Sequence, residues 1–168
     1  MRKVRQVLTL VVVLAFVAPA VAQAQKLVVI VRHAERADGG SMSPNAQSDP
    51  ELSAAGATRA RKLAAMLGES GIAAIYTTEY KRTKDTAAPL AAKLHLSPIA
   101  IKADDTNALI ESIKTTRGSD IVLIVAHTNT ISNIIKAFGG PEVTVPDGDY
   151  DNIFFVVPAT GTMTRIKY

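Results

Sequence analysis

The sequence predicts an α/β fold: a three-layer sandwich in which a mostly parallel sheet carries helices on both faces and an antiparallel hairpin at one edge. Three observations predict it. Near-continuous apolar runs of strand length, KLVVIV (26–31), IAAIYT (72–77) and DIVLIVA (120–126), read as strands buried on both faces. Segments with helical spacing separate them, and strands that alternate with helices imply βαβ units. The last two apolar runs, 152–157 and 162–168, are joined only by residues 158–161. That is too short for a crossover, so they pair as a hairpin.

The first 24 residues are set apart from this fold. Arg2, Lys3 and Arg5 precede an apolar stretch over 7–22, interrupted by Pro19, which ends in Ala22-Gln23-Ala24. A basic start, an apolar middle and an A-x-A end form the pattern of a secretory signal peptide. The run is shorter than the roughly 20 apolar residues of a membrane span. A second A-x-A at Ala18-Pro19-Ala20 leaves the cut open between Ala20 and Ala24. The expectation is an exported protein, periplasmic or secreted, that meets the membrane only in transit. Residues 25–168 then form one domain, long enough for a substantial core.

Removing the leader changes the charge argument. The chain carries a formal +4, but three of its cations and none of its acids lie in the leader, leaving sixteen cations against fifteen acids. So near-neutral a balance predicts no nucleic-acid partner. The chain has no cysteine, which excludes disulfides, thiolate catalysis and Cys-ligated zinc.

Each element has its own justification. Residues 52–68 place Leu63, Met66 and Leu67 at i, i+3 and i+4, with Ser53 as N-cap and Gly68 near the end. Residues 80–94 read as a helix that Pro89 kinks or breaks. SPIAI (97–101) is a short strand, and 105–116 is a helix that Asp105 caps. Residues 129–140 are a helix stopped by Gly139-Gly140. The 37–51 loop, ADGGSMSPNAQSDPE, is long for a compact domain and reads as a substrate-facing flap.

In open α/β sheets, ligands bind beyond the C-terminal ends of the parallel strands. Those ends deliver Arg32, His33 and Glu35 after the first strand, and Thr77, Thr78 and Glu79 with Arg82 after the second. The third delivers Lys102, Asp104 and Asp105, and the fourth His127 with Thr128 and Asn129. The third histidine, His95, falls on the opposite edge and reads as structural or solvated. Two guanidinium forks match the oxygens of a phosphate dianion. A helix N-terminus after His127 adds backbone donors for the same anion. A neutral imidazole beside them can attack phosphorus. A second one can donate to the phosphoryl oxygens as charge develops.

Four separated motifs, Arg32-His33-Ala34-Glu35, LSAAGATRARKLA (52–64), IYTTEYKRTKDTAAPLA (75–91) and VLIVAHTNTISNII (122–135), together resemble the histidine phosphatase superfamily, the phosphoglycerate-mutase-like fold. The resemblance runs in family order through nearly the whole chain after the leader. It implies that His33 is phosphorylated, that Arg32, Arg82 and His127 hold the phosphate, and that neither metal nor cofactor takes part. There are two departures. Ala34 stands where the family's best-known motif has glycine, which is similar to the small phosphatase branch rather than the mutases. The acid that protonates the leaving oxygen has no obvious counterpart. Asp105, which follows a strand end, is the first candidate, Glu35 is an alternative, and Asp104 and Glu111 are further ones.

The expected function is an exported, metal-independent phosphatase that acts on a phosphorylated small molecule or a phosphoprotein. A non-catalytic anion-binding module of the same fold is the alternative. A metal-dependent hydrolase that uses His33, His127 and an Asp is a third reading, but the spacing fits no metal motif. Specificity is expected from the 37–51 and 141–151 segments.

Overall fold

The computed structural model describes residues 26–39 and 49–168. The leader and the middle of the 37–51 loop lie outside the described residues. The elements are β1 (Leu27–Arg32), α1 (Ala54–Leu67), β2 (Ile72–Thr77), α2 (Lys81–Leu94), β3 (Ile99–Ala100), α3 (Thr106–Thr116), β4 (Ile121–Ala126), α4 (Thr128–Ala137), β5 (Asn152–Val157) and β6 (Thr162–Lys167). They form one six-stranded sheet in the order β3-β2-β4-β1-β5-β6. β3, β2, β4 and β1 run parallel, β5 pairs antiparallel with β1, and β6 pairs antiparallel with β5. The expected α/β sandwich is therefore observed. Its antiparallel part is the expected β5–β6 hairpin at one edge, joined to the parallel strands by β5 against β1.

The continuous apolar runs follow from burial on both faces. Within β1, Val28 and Ile30 join α3 and α4 residues, including Ile113, Ile131 and Ile135, in one core cluster. Val29 and Val31 point the other way, into a second cluster with Leu63 and Leu67 of α1 and Leu90 of α2. A strand with a core on each side has no polar face to show.

The helix ends also have physical causes. Ser53 accepts from the Gly56 amide at 3.1 Å and starts α1. Asp105 accepts from the Ala108 amide at 2.9 Å and starts α3. α4 stops at Phe138, followed by Gly139 with φ +86°, a left-handed position that favours glycine. One expectation is corrected: α2 runs unbroken through Pro89. The proline costs the hydrogen bond to the carbonyl four residues earlier, and the burial of Ala87, Leu90 and Ala91 in the core shared with α1 offsets it.

Candidate active site

The two central parallel strands bring the two histidines together. Arg32 of β1 is in register with Ala126 of β4, and the His33 amide extends the ladder by donating to the Ala126 carbonyl at 2.9 Å. His33 and His127 are thus the next residues beyond two adjacent strand ends. Their ring centroids lie 5.3 Å apart, and both residues are buried. They line an open cleft of about 860 Å³ together with Arg32, Arg36, Arg82, Asp104, Thr128 and Asn129.

One ring nitrogen of His33 is left with a free lone pair. Its Nδ1 lies 2.8 Å from the Ala34 carbonyl oxygen. A carbonyl only accepts, so Nδ1 carries the proton and the lone pair is on Nε2. Burial lowers its pKa to about 4, and the charges of Arg82, Arg32 and Arg36 act in the same direction, against the Ala34 hydrogen bond. His127 is lowered further, to about 3, by burial and then by Arg82, His33 and Arg32. At neutral pH both rings are uncharged.

Three guanidinium groups face this pair. Arg32 Nη1 donates to the carbonyl oxygens of Pro146 at 3.3 Å and Asp149 at 3.5 Å, and to that of Asp147. Its Cζ lies over the Tyr150 ring, 4.0 Å from the centroid. Arg82 stacks on Tyr80 at the same distance and lies 3.6 Å from the Asp49 carboxylate. Burial, then the charge of Arg36, lowers the Arg82 pKa. Arg36 pairs with Asp38 at the mouth of the 37–51 loop. The Nε–H groups of Arg32, Arg36 and Arg82 are buried without a hydrogen-bond partner among the described residues. The cleft these three side chains line is strongly cationic, which suits an oxyanion. The first turn of α4, at Thr128 and Asn129, adds backbone N–H groups on the same side.

A tight packing contact fixes the loop that carries His33. The Glu35 carbonyl accepts from the Ser53 amide at 2.8 Å. A Cβ added to Gly56 would sit 2.2 Å from that same carbonyl oxygen, so only glycine lets α1 approach. The Ala34 amide donates to Thr86 Oγ1 at 2.9 Å, which ties the loop to α2 as well.

The expected acids separate in space. Asp104 lines the cleft. Asp105 lies outside its lining, with its carboxylate on the α3 amide. The Glu35 carboxylate is held by Arg59 in a bidentate pair at 2.6–2.9 Å. Burial raises the Glu35 pKa, but the Arg59 hydrogen bonds and charge outweigh it and leave it lowered. Glu111 is exposed on α3. His95 is exposed at the far end of α2, with φ +55°. Sequence reasoning missed Tyr80, Tyr150, Arg36 and the 146–149 carbonyls. Only Arg36 carried a signal, as a cation three residues after His33. The carbonyls and rings matter through a chain path that no local pattern encodes.

A family model described as the histidine phosphatase superfamily (branch 1) matches residues 28–105, which include Arg32, His33 and Arg82. No curated protein matches the chain. Solved structures of similar fold include a mycobacterial glucosyl-3-phosphoglycerate phosphatase in complex with VO3, at 16% identity and TM-score 0.63, covering 84% of this chain and 97% of that one. The protein histidine phosphatase SixA, complexed with tungstate, is 20% identical, with TM-score 0.59 and coverage of 83% and 94%. The product of the open reading frame Rv3214 from Mycobacterium tuberculosis is 15% identical, with TM-score 0.61 and coverage of 84% and 95%. The matched segment supplies β1, His33 and the second arginine, and β4 brings His127 into the same cleft; over residues 28–105 the chain is similar to the histidine phosphatase superfamily, and it shares the fold of these phosphatases.

Proposed function

We propose that the protein is an exported phosphatase that hydrolyses a phosphomonoester or a phosphorylated protein side chain through a phosphohistidine at His33. One observation carries the reading. A neutral imidazole with its lone pair on Nε2 lies beside a second imidazole, in a cleft lined by the guanidinium groups of Arg32, Arg36 and Arg82. Arg32, Arg82, His127 and the amide of Thr128 hold the phosphoryl group. His33 Nε2 attacks phosphorus, the leaving oxygen departs with a proton, and water then attacks the phosphohistidine to release phosphate. Asp104 is the proton donor we favour over Asp105 and Glu35, because it lines the cleft and they are engaged elsewhere. Export rests on the leader pattern at 1–24. A phosphorylated substrate accords with the names of the structural neighbours, a glucosyl-3-phosphoglycerate phosphatase and a protein histidine phosphatase.

Phosphate release from a panel of phosphomonoesters, with and without EDTA and beside His33→Ala, tests the reading. Turnover that resists EDTA and is lost in the variant supports it. Vanadate binding with no turnover on any compound would instead favour an anion-binding module. Activity that survives His33→Ala would remove His33 as nucleophile. N-terminal sequencing of protein from the exported fraction, starting between Val21 and Gln25, supports the leader; an intact Arg2 in that fraction would overturn cleavage.

A further inference from the structure

The second histidine is held by a chain of hydroxyls that the reaction as described leaves unused. His127 Nε2 lies 3.0 Å from Thr78 Oγ1, and Thr78 Oγ1 lies 3.0 Å from Thr83 Oγ1. Thr83 sits in the first turn of α2 and is fully buried. Its hydroxyl has one proton, which it directs at carbonyl oxygens, Tyr80 at 2.9 Å and Thr78 at 3.2 Å. These only accept. Thr83 Oγ1 therefore receives from its other neighbours, the Thr78 amide at 3.1 Å and the Thr78 hydroxyl. With its single proton given to Thr83, Thr78 offers His127 a lone pair, so Nε2 carries the hydrogen. Every member of the chain is satisfied in this direction. The reverse polarity turns the Thr83 proton away from its shortest contact.

We propose that Thr78, backed by Thr83, is the positioning residue of His127: it holds the neutral ring as the Nε2–H tautomer, so that Nδ1 is the nitrogen left for the phosphate and takes up a proton when the anion binds. The proposal rests on the phosphatase reading above. A lone pair on Nδ1 repels a phosphoryl oxygen, whereas the imidazolium donates to it from Nδ1 while Thr78 still accepts from Nε2. The groups facing His127 set the timing. Burial first, then Arg82 of α2, His33 and Arg32 at the end of β1, disfavour the charged ring in the free protein, and Tyr80 meets it edge-on at 5.6 Å. A bound dianion offsets both guanidinium charges. The proton comes from the buffer or from the phosphate monoanion, and no bond to a heavy atom changes.

Nitrogen-15 spectra of histidine-labelled protein test this, with His127 assigned by its loss in His127→Gln. In the free protein, Nε2 is expected to be protonated and Nδ1 bare. Orthovanadate or inorganic phosphate should move Nδ1 to the protonated position. Thr78→Val keeps the shape and removes the hydroxyl. It should mix the tautomers and lower kcat about tenfold, with KM within about threefold, while Thr78→Ser restores both the tautomer and the rate. A wild-type His127 found as Nδ1–H would overturn the proposal. So would a Thr78→Val enzyme within twofold of wild-type kcat, or a Thr78→Ser enzyme no better than it. A wild-type protein with the Nε2–H tautomer and the Nδ1 response, but no turnover, would sink the phosphatase reading and leave the tautomer assignment standing.

Discussion

The Ala34 carbonyl oxygen accepts a hydrogen bond from His33 Nδ1 at 2.8 Å, one residue along the chain. This contact decides which ring nitrogen keeps its lone pair. It uses the backbone of Ala34 and not its side chain.

His33→Asn keeps a donor near the Ala34 carbonyl but has no nucleophilic lone pair. It is expected to lower turnover by at least about 10³, as loss of a covalent nucleophile does. Rapid alkaline quench with a labelled substrate should trap phosphoenzyme in the wild type and none in the variant.

The pH dependence should be unusual for a histidine enzyme. The His33 pKa falls to about 4, so the neutral nucleophile persists well below the ordinary imidazole value of 6.5. The acid limb of kcat/KM is expected near pH 4 rather than 6.5. Stability follows the same sign. The unfolded chain binds more protons than the folded one between the lowered values and 6.5, so the contribution is complete above pH 6.5 and is lost as pH falls toward 4 and 3. Denaturant midpoints measured from pH 7 to 4 should decline, and a double variant lacking both rings should decline less.

Arg82→Lys retains the charge but not the fork, nor the stacking on Tyr80. Inhibition by vanadate should weaken about ten- to hundredfold, the scale of one or two lost charge-assisted hydrogen bonds. An unchanged inhibition constant would show that Arg82 does not touch the anion.

Gly56→Ala places a methyl group 2.2 Å from the Glu35 carbonyl oxygen. Backbone cannot move aside cheaply, so stability should fall by about 1–3 kcal/mol or more, and kcat should fall with it as the His33 loop shifts. Thermal unfolding and single-turnover rates check the two effects separately.

The three carboxylates should separate by leaving group. Asp104→Asn is expected to slow alkyl phosphates by about 10² or more, the usual contribution of a general acid, and aryl phosphates far less. Asp105→Ala should cost about 1 kcal/mol of stability through its lost cap, with little change in kcat. Glu35→Gln should weaken the Arg59 pair and lower stability, without a leaving-group dependence. Leaving-group plots for the three variants distinguish these outcomes.

Sequence alone determined the elements and which polar residues meet at one edge of the sheet. β1 and β4 are legible because burial on both faces demands apolar residues at every position. The caps at Ser53 and Asp105 are legible because an N-cap acts on amides only three residues away. Arg32, His33, Arg82 and His127 are legible because parallel strands send their C-terminal ends to one edge. Only the tertiary structure decided the rest. That β4 lies between β2 and β1 sets His127 beside His33 and within reach of Thr78, and strand order depends on long-range packing that no local period records. Asp105 reads the same whether it caps a helix or faces a substrate. It is the chain neighbour of Asp104, yet the path of the backbone sends Asp105 to the α3 amide and Asp104 to the cleft. The Arg32 carbonyl cradle and the Tyr150 stack come from a segment more than 110 residues away. Their contribution lies in backbone atoms and ring position, for which the sequence has no letter.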